Sequence, residues 1–135
     1  MSVGTFDPGA AGDPPATLAP ADLARLLAAA GDLDADRLGL SDHEVARLGR
    51  VARTDALDWA AVAAPLADAD LVQLIRVLVL AEVRLPEFES GARSPVVPLA
   101  RTLRQRDAYP AELTAWIREQ SSNRFLPHGS LMDRL

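Results

Sequence analysis

The side chains that could do chemistry are few and scattered. The chain holds two histidines, His43 and His128, and no cysteine. His43 stands between Asp42 and Glu44. Three consecutive helical residues point in different directions, so this cluster does not gather the ligands of a metal ion. His128 follows Ser121 and Ser122 and precedes Ser130, yet no Gly-x-Ser-x-Gly elbow and no companion acid accompanies it. The acidic run "DLDAD" resembles a calcium loop in composition alone. Counted from Asp32, the sixth position must be Gly and the twelfth Glu, and these hold Arg37 and His43. The run reads as a solvated connector. The lack of cysteine removes disulfides, thiolate catalysis and Cys-ligated zinc. No cofactor or metal is expected, and no catalytic residue is assigned.

Glu82 carries more information. It lies on a long apolar segment, "LVQLIRVLVLAEVRL", in which Gln73, Arg76 and Arg84 share one polar stripe. At about 100° per residue, Glu82 falls roughly opposite that stripe, among apolar neighbours. A buried carboxylate must be paired or neutral. The expected partner is an arginine, with Arg101 and Arg104 the candidates for a buried, structural ion pair.

The third group of interest closes the chain. "SSNRFLPHG" follows a helical pattern but is itself neither helical nor strand-like, and it carries a Phe-Leu pair beside Pro and Gly. Disordered tails are poor in such residues. Asn123, Arg124, Phe125, Leu126, Pro127 and His128 therefore form the candidate interaction segment. In one reading it folds back over a groove between helices and Phe125 joins the core. In the other it is an exposed peptide that docks on a partner or on a second copy. A tail swapped between subunits would join the two.

The elements that must position these groups are helices. Pro20 suits a first helical turn, and Leu23, Leu26, Leu27 and Ala30 follow at helical spacing until Gly31. Ser41 and Glu44 form a capping box ahead of Val45 and Leu48. Thr54 or Asp55 caps a helix through Leu57 and Ala61 that Pro65 ends. The segment from residue 67 to 85 is apolar nearly all round and should be buried. Ser94 and Pro95 open the next helix, although Pro98 allows a start three residues later. Leu113, Trp116 and Ile117 mark the last one, and Asn123 is placed to stop it. No segment alternates as a strand does, and no repeat recurs at a fixed period.

These patterns predict an all-α fold: a single irregular or orthogonal bundle of five or six helices. Residues 1–17 form a disordered lead-in, residues 18–121 the helical domain, and residues 122–135 a non-helical tail packed on the domain or on a partner. At 135 residues with 49% hydrophobic side chains, one real core can form. Aromatics are only 4%, so that core must be Leu, Val and Ala at close helix contacts.

All fourteen basic residues are arginine, against nineteen acids, for a net charge of −5. Neither half of the chain is basic, which argues against a sequence-independent nucleic-acid footprint. Residues 41–80 have the outline of a helix-turn-helix unit, but the helix in the reading position carries Asp and Ala and no Arg. The longest apolar run, residues 77–81, is far too short to span a bilayer. The first twenty residues lack a secretory pattern, so the cytoplasm is the expected location. The function expected is a non-catalytic protein-interaction or adaptor domain that binds a protein partner or itself. A DNA-binding or regulatory module is the second reading, and an enzyme built around Glu82, His43 or His128 the third.

Overall fold

Local residue chemistry sets where the first three helices begin. The computed structural model describes residues 18–54, 57–123 and 125–127. The expected lead-in at residues 1–17 lies outside them, as do Asp55, Arg124, His128 and the rest of the tail. Pro20 occupies the first position of α1 (Pro20–Ala28), where its missing N–H costs nothing. The helix tightens into a 3-10 turn, Ala29–Asp32, and so continues past Gly31. The capping box is fully formed at α2 (Asp42–Ala52). The Ser41 hydroxyl accepts the Glu44 N–H at 3.2 Å, and the Glu44 carboxylate accepts the Ser41 N–H at 2.9 Å.

The third helix starts later than its sequence suggests. Asp58, not Thr54, caps α3 (Trp59–Ala63), accepting the Ala61 N–H at 3.2 Å. A polar side chain directly before the first helical residue meets the free N–H groups, and Thr54 is several residues too early. α4 (Asp68–Arg84) is the central helix, with Leu71, Leu74, Ile75 and every residue from Val77 to Ala81 buried. α1, α5 and α6 pack around it, together with the 3-10 turn Pro86–Phe88.

Pro98 does not delay α5 (Val96–Gln105). It stands in the first turn, whose N–H groups have no intrahelical partner anyway. α6 (Leu113–Gln120) ends at Ser121 in an extended conformation. Asn123 is therefore not the residue that terminates it. The result is an all-α, irregular bundle of six helices, with no strand among the described residues. None of these helices is long and apolar enough to cross a membrane.

Three arginines tie loops to this frame. Arg84 donates to the carbonyls of Leu33 and Ala35 at 2.6 and 2.9 Å, and Arg25 to that of Gly39 at 2.6 Å. They hold the acidic connector in a shape that includes a left-handed Leu38, φ 58°, whose side chain is fully buried. Such a backbone costs a leucine about 1–2 kcal/mol, and its burial offsets that cost. Arg106 reaches from the end of α5 to the carbonyls of Ala63, Ala64 and Leu66 at 3.0, 3.2 and 2.8 Å, and to the Asp68 carboxylate at 3.0 Å. It thereby satisfies the exposed carbonyls that α3 leaves at its C-terminus.

Candidate functional site

Glu82 is half-buried near the end of α4, not enclosed as its spacing suggests, and its partners are not arginines. The Ser94 hydroxyl donates to its carboxylate, and the Asn123 amide, which donates to the Gly91 carbonyl, lies nearby. Arg101 is exposed on α5. Arg104 lies over the ring of Tyr109, 4.6 Å from its centre. The expected pairing of Glu82 with Arg101 or Arg104 is thus replaced, among the described residues, by the Ser94 hydroxyl, with the Asn123 amide nearby. Neither group carries a charge to balance the carboxylate. Burial pushes the Glu82 carboxyl up to about 7, although Ser94 and Asn123 pull the other way.

Each donor is itself fixed by backbone. Ser94 is 1% exposed, and its oxygen accepts the Val96 N–H at 3.1 Å at the start of α5. Asn123 donates to the Gly91 carbonyl at 3.0 Å, while its amide oxygen accepts the Phe125 N–H at 3.0 Å. Its own N–H goes to the Ser121 hydroxyl at 3.1 Å. Asn123 thus ties the C-terminal segment to the turn at Gly91.

Beside this junction lies a cleft of about 670 Å³, lined by Glu82, Val83, Glu89 and Gly91 on one side and by residues 118–123 on the other. Its wall mixes carboxylates (Glu82, Glu89, Glu119), one guanidinium (Arg118), hydroxyls (Ser121, Ser122) and amides (Gln120, Asn123). Val83 is 49% exposed at its edge. Phe125, 50% exposed, follows two residues after Asn123.

Of the candidate interaction segment, Asn123, Leu126 and Pro127 pack on the domain. The apolar payload divides: Leu126 is 1% exposed, whereas Phe125 points outward. The expectation that Phe125 joins the core is therefore corrected. The turn closed by the Phe125 N–H and by Leu126 N–H to the Asn123 carbonyl, at 3.2 Å, allows only one of two adjacent side chains inward. Arg124 and His128 lie outside the described residues. His43 is exposed on α2, and no described histidine lines the cleft with Glu82. No group of three or more potential metal-ligating side chains occurs among the described residues.

Sequence reasoning missed Ser94 as a partner of Glu82, having assigned it to helix capping, and missed Asn123 as a junction. A signal for Ser94 existed: a serine that caps a helix accepts with its oxygen and still has its O–H to donate. Set against known family models, curated proteins and solved structures, the chain matches none of them.

Proposed function

We propose that this domain is a non-catalytic interaction module that docks a protein partner on the cleft beside Glu82. The observation that carries this reading is the placement of Val83 and Phe125. They are the two large apolar side chains left exposed among the described residues, at 49% and 50%. Val83 lines the cleft, and Phe125 is tied through its backbone to Asn123, which lines it too. Apolar anchors set among polar, hydrogen-bonding groups are the usual anatomy of a docking patch.

The test is capture of a partner from extract of the native host by the immobilised protein. Three forms are compared: the unaltered chain, the double variant Val83→Asp with Phe125→Ser, and Arg50→Ser on the exposed face of α2. Their melting temperatures must agree within about two degrees, which excludes unfolding as the cause. The reading expects a specific partner to be retained by the first and third and lost, by about tenfold or more, from the double variant. Equal capture by all three forms overturns it.

A further inference from the structure

The Arg76 guanidinium lies over the Trp116 ring, 5.1 Å from its centre. Among the described residues it has no hydrogen bond and no ion pair, and its Nε is buried without an acceptor. An aromatic face holds a cation in place but leaves its N–H groups unmet. Both side chains are only partly buried. Trp and Arg are also the residue types that most often anchor protein contacts.

This pair adjoins the cleft. Gln120 stands four residues after Trp116 on the same face of α6, is partly buried and lines the cleft. Val83 stands seven residues after Arg76 on the same side of α4 and lines it too. α4 and α6 therefore run side by side in the same direction. An accessible seam leads from Arg76 and Trp116 to the cleft, about 10 Å along the helix axis. The seam changes sign along its length. One end presents the guanidinium of Arg76. The other presents the carboxylates of Glu82, Glu89 and Glu119 against the guanidinium of Arg118. None of those three carboxylates is ion-paired among the described residues.

We propose that this seam receives an amphipathic helix of the partner, with an acidic residue on Arg76, a basic residue in the cleft and apolar side chains over Trp116 and Val83. This rests on the docking reading above and gives the partner its chemistry. Charge complementarity at both ends fixes the two polar residues, and the spacing selects a helix. Residues seven apart on a helix share a face and lie about 10 Å apart, which matches the run from Arg76 to the cleft. An extended segment covers that distance in about three residues, and the outer two then point to opposite faces. A carboxylate can take two parallel N–H groups of Arg76 while Trp116 backs the fork.

The probe is a lactam-stapled helical peptide carrying Glu, Leu, Leu and Arg at positions i, i+3, i+4 and i+7. It is titrated into the full-length protein and followed by NMR. The Arg76 Nε–H, the Trp116 indole N–H, the Val83 methyls and the Glu119 carboxyl should shift together. A peptide with Gln in place of both charged residues should bind about tenfold more weakly. So should one whose Arg stands at i+5, off the shared face. Arg76→Gln should lose the first peptide by a similar factor and no longer distinguish it from one with Gln in place of its Glu. No shift at about 1 mM peptide, equal affinity for the neutral peptide, shifts that omit Arg76 and Trp116, or full affinity in Arg76→Gln overturns the proposal. The docking reading fails separately, by equal capture of a partner in the Val83 and Phe125 double variant. Capture lost there but kept in Arg76→Gln leaves docking standing and removes the helix from the seam.

Discussion

The hydroxyl of Ser94 donates to the carboxylate of Glu82 while accepting the backbone N–H of Val96 at 3.1 Å. One buried serine thus uses its donor for the central helix and an acceptor site for the next one. Among the described residues its hydrogen bond comes from a neutral dipole and not from an opposing charge, which is why desolvation governs its behaviour.

The sign of the pH dependence follows. The folded protein holds the Glu82 proton up to about 7, and the unfolded chain releases it near 4.5. Between these values the folded state binds more protons, so the stability due to Glu82 is fully present below the lower value. It is lost as the pH rises through the window, by about 3 kcal/mol in all. Denaturant titrations at a series of pH values should show this decline in the unaltered protein and its absence in Glu82→Gln. A decline of the same size in the glutamine variant would assign it to other groups.

Adjacent tail residues should respond in opposite ways. Leu126 is 1% exposed, so Leu126→Ala should cost about 2–4 kcal/mol. Phe125 is 50% exposed, and Phe125→Ala should cost under about 1 kcal/mol. Chemical denaturation of the two variants decides the matter. A larger loss from the phenylalanine would place it in the core after all.

Gly49 faces the turn after α4 at a distance that admits no side chain. A Cβ there would stand 2.6 Å from the Glu87 carbonyl oxygen and 2.9 Å from its carbon. The obstacle is backbone, so it cannot rotate away. Gly49→Ala should destabilise by about 1–3 kcal/mol through overpacking, against the gain of about 1 kcal/mol that alanine brings to an ordinary helix position. A stabilised variant in thermal melts would show that α2 and the turn can part freely.

Arg106 should prove hard to replace. It serves three backbone carbonyls and the Asp68 carboxylate with one planar fork. Arg106→Lys keeps the charge but presents a single ammonium, which cannot span those acceptors. Both Arg106→Ala and Arg106→Lys should lose about 1–3 kcal/mol, and hydrogen exchange should quicken locally across residues 63–68. Full rescue by lysine would mean that charge alone matters.

The features legible in the sequence are those fixed by neighbours along the chain. The Ser41 and Glu44 capping box, Pro20 at a helix start and the apolar girth of α4 each follow from spacing within one or two turns. The partial burial of Glu82 on α4 was legible for the same reason. Its partner was not, because Ser94 arrives from another element, and a search for opposite charge points to arginines. Phe125 and Leu126 show the same limit more sharply. Both are apolar and adjacent, and which one turns inward is decided by the Asn123 turn, not by their own chemistry. Leu38 adopts a left-handed backbone that its residue type disfavours, held by Arg25 and Arg84 from distant helices.

The girth of α4 also bears on how the chain is made. A helix apolar on nearly every side needs covers from both directions, and synthesis delivers them at different times. α1 and the 3-10 turn after it leave the ribosome ahead of it; α5 and α6 follow. There is consequently a stage at which the most water-averse stretch of the protein has emerged with only half its shelter built. Nascent chains halted at that stage should be held by chaperones that bind exposed apolar surface, and chains extended beyond Ile117 should be let go.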